Sequence, residues 1–529
     1  MNAALRKQIY ALLIVVSAGL ILGRIAAVDR VDTQKLEEYR RNVIPMQLQE
    51  KRQRLESQGY DAAAIDEEME RTEIALHRSA ALGSPMFCAN DRSRWCTIRA
   101  LVEPDMRVIR EAVLADGSTR REYVWYAIDR VQNEKGWDTI DMVKHLLPND
   151  PEDSQGYLYS SKPPLLVTLM AAPYAVIYNV SGGRLSLGNE TYLVVRVLLV
   201  LLNLLPLIVA WVVLARLVER FGKTDWGRVF TVAAICFGTF LSTFSVTLNN
   251  HLPAFVCTSL AIYSAVRLLD GTRHRWWHAF CVGLFASMLV VCELPGALFA
   301  AVLVLYLLVR RPGVTAAITV PICLLMAAAF LGTNYAAHRT VVPPYAFKGG
   351  ENNWYSYTYM REGRLRQSYW DNPVGMDIGE ASVERYLMNS TIGHHGIVSL
   401  TPLWLLSLLG GACWLVGQRG NDDRRLLRHL AVFALTLSLC IFTFYMQQGQ
   451  GERNYGGVTS GLRWTFWLVP LWIMLLIPAA DLLAKYRATR AFGCLLLAAS
   501  CFSVAYPVWN PWTLPWLYYL MRYLGVSTI

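Results

Sequence analysis

Long apolar runs recur along this chain of 529 residues, and they constrain its fold more than any other feature. The run 191–215 holds about twenty apolar residues and almost no charge. At a rise of about 1.5 Å per residue, such a run can cross the roughly 30 Å hydrocarbon core of a membrane. One run could form a buried helix in a large soluble core, but a series of about ten could not. The sequence therefore predicts an all-α polytopic membrane protein with about eleven transmembrane helices.

The first apolar run, about 8–27, follows Arg6 and Lys7, which is also how a secretory signal peptide begins. It is long for a signal peptide, and no small-x-small cleavage site precedes Asp29. We therefore predict an uncleaved transmembrane helix over 1–27. Hydropathy places the further spans near 192–215, 229–248, 252–268, 279–293, 296–309, 314–334, 397–418, 429–446, 464–482 and 491–508.

The basic residues favour one orientation of these spans. Lys and Arg are concentrated in alternate connections, whereas the connections near 249–251 and 294–295 have none. Because cytoplasmic loops carry the excess of Lys and Arg, we expect a multi-pass protein of the cytoplasmic membrane with its active side extracytoplasmic. The clusters are Arg216, Arg220, Lys223 and Arg228; Arg267, Arg273 and Arg275; Arg310 and Arg311; Arg419, Arg424, Arg425 and Arg428; and Lys485, Arg487 and Arg490.

The apolar stretch 165–180 is only sixteen residues long. If it crossed the membrane, every later loop would change side and the basic clusters would face outward. We therefore predict an interfacial helix over 162–180, which does not cross, within a large extracytoplasmic loop, 28–190. The other predicted divisions are a helical hairpin, 33–82, and a catalytic motif, 88–102, in that loop; a transmembrane core, 191–334; a second outside loop, 335–396; and C-terminal transmembrane helices, 397–529, with an outside loop, 447–463.

The net charge of +10 does not indicate nucleic-acid binding, because the cytoplasmic connections account for the basic excess. No basic stripe with interleaved aromatic residues lies in a soluble segment. Of the eleven cysteines, only Cys88 and Cys96 lie in an outside loop. Their spacing is compatible with a disulfide in an oxidising compartment and equally with two free thiols.

Two short motifs in the first loop combine charged residues with aromatic residues or proline. Asp91, Arg94 and Trp95 lie near the start of the segment 88–102, where an Asp is often only a helix cap. Lys162 begins a Lys-Pro-Pro-Leu motif that leads directly into the apolar stretch, so it lies at the membrane surface. Ordinary contact with lipid headgroups would also place a lysine there.

Together, the two motifs resemble those of the polytopic glycosyltransferases of the C-type fold, in particular glycosyltransferase family 39. This family includes protein O-mannosyltransferases and the aminoarabinose transferase that acts on lipid A. Its members have a D-x-x-R-[YW] motif in the first outside loop and a later K-P-P-L motif at the membrane edge. This chain has both motifs in the same order, after a single helix and before a multi-span remainder. The specific resemblance lies within 88–180.

The resemblance implies transfer of a sugar from a polyprenyl-phosphate donor to a lipid, glycan or protein acceptor at the extracytoplasmic face. Membrane lipids would surround the enzyme, and the acceptor is left open. The attacking hydroxyl must lose a proton to a carboxylate, so Asp91 would be the catalytic base. The departing phosphate gains charge, so Arg94 and Lys162 would bind the carrier phosphate through charge-assisted hydrogen bonds.

The chain also departs from the family pattern. Ser161 stands where members often have Glu before the Lys-Pro, and Asn250 and His251 stand where many carry an acid. Glu293 at the next outside turn could substitute for that acid. The motifs require no cofactor and predict no metal ligand, although a divalent metal ion is possible.

Further residues are weaker candidates for binding substrate. Some are charged or aromatic residues near the two motifs or at outside turns, and three lie in 447–463, where positive charge is otherwise avoided. These candidates are Trp95, Tyr159, Asn250, His251, Glu293, Glu452, Arg453 and Arg463.

Two other classes of function compete with the transferase. A transporter or flippase of lipid-linked sugars would have charged residues within its spans and two related halves, and the sequence has no such symmetry. A non-catalytic membrane scaffold would bind a partner through the hairpin 33–82 and would not need Asp91 or Lys162.

Overall fold

Apolar helices make up most of the protein. The computed structural model describes residues 1–28, 39–81, 88–114, 116–151, 154–361, 363–416, 422–507 and 510–526. Within these ranges, nine helices are long and apolar enough to cross a membrane: Ala3–Ala26, Thr191–Phe221, Asp225–Phe244, His251–Leu269, Arg275–Cys292, Pro312–His338, Arg424–Met446, Arg463–Leu483 and Arg487–Ala505. The chain thus has the features of a multi-pass, mostly helical membrane protein, as the sequence predicts.

Three further apolar helices are shorter than these nine: Pro164–Val180, Leu294–Arg310 and Trp404–Val416. Two of them fall where the sequence predicts the spans 296–309 and 397–418, so a total of about eleven crossings stays a prediction. The third falls in the stretch predicted to lie in the interface, and it packs against the helices Ala89–Val102 and Pro312–His338.

The spans have apolar side chains on their outer faces and polar groups inside. In Ala3–Ala26, Leu12 and Val15 are exposed, whereas Ser17 is buried and its hydroxyl donates to the carbonyl of Cys236 at 2.8 Å. The helix Arg463–Leu483 is the most enclosed of the nine spans, while Pro312–His338 is peripheral. Apolar outer faces suit a hydrocarbon solvent, in which every backbone polar group must be satisfied within the protein.

Ion pairs join several of the predicted cytoplasmic connections at one end of the bundle. The N-terminal amine and the Arg6 guanidinium both contact Asp225, at 2.7 and 2.8 Å. Arg6 also pairs with Glu219, and Arg220 pairs with Asp270. These contacts bring the start of the chain and the two connections near 222 and 270 together.

Helices and short hairpins make up the predicted first loop. The helices Ile44–Ser57 and Ala62–Ala81 are antiparallel, and the Lys51 ammonium contacts the Glu68 carboxylate at 2.6 Å. Residues 33–38 and 82 of the predicted hairpin lie outside the described residues. The helices Ala89–Val102 and Asp129–Gln132 follow along the chain.

The described residues also form three two-stranded antiparallel sheets. They pair Val108–Val113 with Thr119–Val124, Met142–His145 with Tyr157–Ser160, and Thr358–Arg361 with Arg364–Gln367. In the second sheet Met142 is opposite Ser160, so Asp141 lies beside Ser161 and Lys162. The other described helices of eight or more residues are Val383–Thr391 and Trp516–Tyr523.

Candidate functional site

The helix Ala89–Val102 carries the first motif and is almost entirely buried. Cys88 caps its first turn, and the Asp91 carboxylate accepts a hydrogen bond from the Cys88 backbone N–H at 3.0 Å. At the other end, the Tyr174 hydroxyl donates to the Glu103 carboxylate at 2.5 Å. The capping bonds satisfy donors that a helix start leaves unpaired, and the Tyr174 bond ties the helix to Pro164–Val180.

The Asp91 carboxylate is 1% exposed and has three hydrogen-bond donors. Its Oδ1 accepts from the backbone N–H groups of Cys88 and Arg92, and its Oδ2 accepts from the Thr247 hydroxyl at 2.8 Å. Burial raises the pKa of Asp91 above its ordinary value, although these hydrogen bonds and the nearby Arg92 and Arg94 oppose that shift. A carboxylate has about four lone-pair positions, so Oδ2 can accept one more proton donor.

Lys162 binds Asp141, a residue that lies outside both motifs. The Lys162 ammonium contacts the Asp141 carboxylate at 3.0 Å, and the Ser161 hydroxyl donates to the same carboxylate. Asn90 donates a further bond to it at 3.0 Å. Burial would raise the pKa of Asp141, but Lys162, the Ser161 hydroxyl and Arg94 outweigh burial, so the pKa lies below its ordinary value.

Arg94 reaches from the first motif to the turn near 250. Its guanidinium donates to the Asn90 carbonyl at 2.9 Å and to the Asn250 side-chain oxygen at 2.6 Å. Both acceptors are neutral, and Arg94 forms no ion pair among the described residues. Its Nε is buried and has no hydrogen-bond partner there.

Glu293 and His251 connect that turn to Arg463 in the outside loop 447–463. Asn250 donates to the Glu293 carboxyl at 2.7 Å, and His251 bonds to the same oxygen through Nδ1. The Arg463 guanidinium donates to Nε2 of His251 at 2.5 Å, so the neutral His251 ring carries its proton on Nδ1. Burial raises the pKa of Glu293 to about 8, although the positive charges of Arg463, Arg94 and Lys162 each lower it.

These bonds form one continuous group that we call the polar network. Trp512 closes it, because its indole N–H donates to Thr247 at 3.3 Å and its ring lies 5.0 Å from the Arg463 guanidinium. Most of its members are buried, but the Lys162 side chain is 30% exposed, so the network is open to solvent there. The members are Asn90, Asp91, Arg94, Asp141, Lys162, Thr247, Asn250, His251, Glu293, Arg463 and Trp512.

Four of the candidates from the sequence lie outside the polar network. Glu452 pairs with Lys348 at the surface, and Arg453 donates to the carbonyls of Glu380 and Ala381. Trp95 is packed in the hydrophobic core. The other is Tyr159, whose ring stacks on His145 next to the second motif.

The sequence analysis identified neither Asp141 nor Asn90, and it did not identify Thr247 or Trp512 either. Asp141 precedes a strand of four residues, and its partner strand ends just before Ser161. Such short strands carry little sequence signal, and the pairing of two of them across a loop is not visible in a single sequence. Asn90 adjoins Asp91, and its helix position could have suggested that it faces the same site.

Cys88 and Cys96 are free thiols in the structure. Cys88 caps the helix in which Cys96 is the eighth residue, so about 12 Å of helix axis separates them. A disulfide requires Cα atoms within about 7 Å. The helix between them therefore excludes the disulfide that the spacing left open.

The residues of the polar network do not fit a divalent metal ion. Among the described residues, no group of three or more His, Cys, Asp or Glu side chains is arranged to hold one. His251 bonds to Glu293 through Nδ1, and its Nε2 lone pair already accepts from the positive Arg463 guanidinium. A metal ion there would lie against the Arg463 guanidinium and be repelled by its charge.

In comparisons with known proteins, no family model, curated protein or solved structure matches the chain. What the chain does must therefore be inferred from the chemistry of the polar network and from the two motifs that lead into it.

Proposed function

We propose that the chain is a membrane glycosyltransferase that moves a sugar from a polyprenyl-phosphate donor to an acceptor at the extracytoplasmic face. The observation that carries this proposal is the convergence of three cations from distant parts of the chain. Arg94 comes from the first loop, Lys162 from the membrane edge and Arg463 from the third outside loop. Burial lowers the pKa of Lys162, and the charges of Arg94 and Arg463 lower it further, while Asp141 opposes the shift.

The cations suit a phosphate group because two of them lack an anionic partner. Arg94 donates only to amide and carbonyl oxygens, and Arg463 donates to the Gly456 carbonyl and to His251. Neither pairs with a carboxylate among the described residues. A buried charge without a partner is costly, so an incoming anion would stabilise both guanidiniums. A phosphate at Lys162 would also be reachable from solvent, because that side chain is partly exposed.

The reaction follows from these positions. The acceptor oxygen forms a bond to the anomeric carbon of the sugar, and the bond from that carbon to the phosphate oxygen breaks with its electron pair. Asp91 would take the proton of the acceptor hydroxyl on Oδ2, which has a lone pair available besides the bond from Thr247. The carrier phosphate would keep the electron pair, and Arg94, Lys162 and Arg463 would stabilise its charge.

The positive-inside pattern supports the extracytoplasmic side for this chemistry. The connections near 222 and 270 are rich in Lys and Arg and meet at one end of the bundle. The polar network includes the turns near 250 and 293. One span, Asp225–Phe244, separates the connection near 222 from the turn near 250, and another, Arg275–Cys292, separates the connection near 270 from the turn near 293, so these turns lie at the other end of the spans. A donor that is anchored in the membrane by a polyprenyl chain would present its phosphate at that surface.

Transfer of label tests the proposal directly. Purified protein would be incubated with labelled polyprenyl-phosphate sugars and with lipid, glycan or protein acceptors. We expect label in an acceptor and release of polyprenyl phosphate, with at least about a tenfold loss in Lys162→Gln and Arg94→Gln. Arg453→Gln is the matched control, because Arg453 lies outside the polar network.

Two outcomes would contradict the proposal. Transport of an intact donor across a liposome membrane without cleavage would support a flippase instead. Absence of transfer from every donor, with Lys162→Gln and wild type binding polyprenyl phosphate equally, would contradict phosphate recognition by the polar network.

A further inference from the structure

A small cavity beside Lys162 has two buried polar atoms without partners. The residues that line it include Tyr126, Tyr159, Lys162 and His338. Tyr159 is 1% exposed and His338 is 4% exposed. Among the described residues, neither the Tyr159 hydroxyl nor Nε2 of His338 has a hydrogen-bond partner. Buried polar groups are nearly always paired, so two unpaired atoms beside one cavity indicate a ligand group.

The hydrogen bonds around the two histidines assign the proton on each ring. Nδ1 of His145 lies 2.9 Å from the Leu146 carbonyl, which can only accept, so His145 carries its proton there. Burial lowers the pKa of His145 to about 4, which keeps the ring neutral at physiological pH. Its Nε2 therefore accepts from Nδ1 of His338 at 3.0 Å. In a neutral His338 ring, Nε2 then offers a lone pair.

Among the described residues that line it, the cavity thus has one unpaired acceptor, one unpaired hydroxyl and one cationic residue. His338 accepts through Nε2, Tyr159 donates through its hydroxyl, and Lys162 supplies the charge. A ligand hydroxyl can donate to His338 and accept from Tyr159 at the same time. The Tyr159 ring is held in place by stacking on His145, with centroids 4.6 Å apart, and His145 stacks in turn on Trp354, with centroids 3.9 Å apart.

We infer that this cavity binds the 2-hydroxyl of the donor sugar and selects donors that carry one. The inference rests on the proposed function, in which Lys162 binds the phosphate. In a glycosyl phosphate, the hydroxyl nearest the phosphate is on the carbon next to the anomeric centre, and the ring oxygen has no proton to donate to His338. The cavity has room for about one water-sized group, so a 2-acetamido substituent does not fit.

Donor selectivity tests this inference. Polyprenyl-phosphate donors with a 2-hydroxyl, a 2-deoxy position or a 2-acetamido group would be compared by kcat/KM in the purified full-length protein. We expect the 2-hydroxy donor to be preferred over the 2-deoxy donor by at least about tenfold. Tyr159→Phe and His338→Gln should each reduce that ratio by about tenfold, with little effect on the 2-deoxy donor.

Tyr386→Phe is a matched control, because Tyr386 is a buried tyrosine whose hydroxyl donates to the Asn454 carbonyl away from the cavity. It should keep the wild-type selectivity. Transfer by wild type with equal rates for the three donors would overturn the inference and leave the proposed function intact. Equal loss for all donors in Tyr159→Phe would show a structural role and overturn it as well. If wild type transfers from no donor, the proposed function fails and the inference fails with it.

Discussion

The Lys162 ammonium lies 3.0 Å from the carboxylate of Asp141, a residue twenty-one positions earlier in the chain. This pair brings the membrane edge against the first loop and holds the exposed cation of the polar network in place. Because the pair is partly buried, the loss of one partner leaves the other charge without compensation.

Lys162→Ala should weaken binding of polyprenyl phosphate by about ten- to a hundredfold, because a charge-assisted hydrogen bond contributes roughly 1.5–3 kcal/mol. Binding would be measured with the purified protein in detergent. Lys144→Ala is the matched control, since Lys144 lies outside the polar network and donates to the carbonyl of Thr358 in a different sheet. Equal binding by Lys162→Ala and wild type would rule out Lys162 as the phosphate ligand.

Asp91→Asn should lower turnover by about 10²–10⁴-fold while binding of the carrier survives, because it removes the base and keeps the shape. One acceptor oxygen remains for the capping bond to Cys88, so the helix Ala89–Val102 should persist. Single-turnover transfer and thermal unfolding in detergent would be compared. Wild-type turnover in a stable Asp91→Asn protein would exclude Asp91 as the base.

Arg463 and Arg453 lie ten positions apart, and we expect that substitution of Arg463 lowers the rate of transfer whereas substitution of Arg453 does not. Arg463→Gln should reduce transfer by at least about tenfold, because it removes a cation that faces His251 and the proposed phosphate. Arg453→Gln should change transfer little, since Arg453 holds the carbonyls of Glu380 and Ala381. Equal effects of the two substitutions would count against the assignment of Arg463 to the site.

Glu293 should make stability depend on pH. Its pKa is about 8 in the folded protein against an ordinary value of 4.5, so the folded state holds more protons between these values. The free energy of unfolding should therefore fall as pH rises through that window, and Glu293→Gln should remove this fall. Unfolding in detergent at about pH 5, 6, 7 and 8 would measure it, with Glu452→Gln as a surface control. Identical pH profiles for wild type and Glu293→Gln would contradict the burial of this carboxyl.

The orientation can be checked with reporter fusions. A fusion after Val180 should report the extracytoplasmic side if the helix Pro164–Val180 does not cross, and a fusion after Lys223 should report the cytoplasmic side because Thr191–Phe221 does. Labelling of cysteines introduced at 424–428 should occur only from the cytoplasmic side. A cytoplasmic signal after Val180 would mean that Pro164–Val180 crosses the membrane.

Local sequence properties determined the membrane character of this protein. The apolar runs and the Lys and Arg clusters depend only on composition along the chain, so hydropathy alone locates Thr191–Phe221 and the other long spans. The two motifs likewise pointed to Arg94 and Lys162, which the structure places in one polar network. For the three shorter apolar helices, length alone does not determine whether they cross the membrane.

Only the tertiary structure decided which distant residues meet. Asp141 reaches Lys162 through the pairing of two four-residue strands, and His251 contacts both Glu293 and, across 212 positions, Arg463. Such contacts depend on packing between elements, which no local pattern records. For the same reason, the cavity between Tyr159 and His338 was invisible in the sequence: its unpaired atoms become a site only when the fold buries them together.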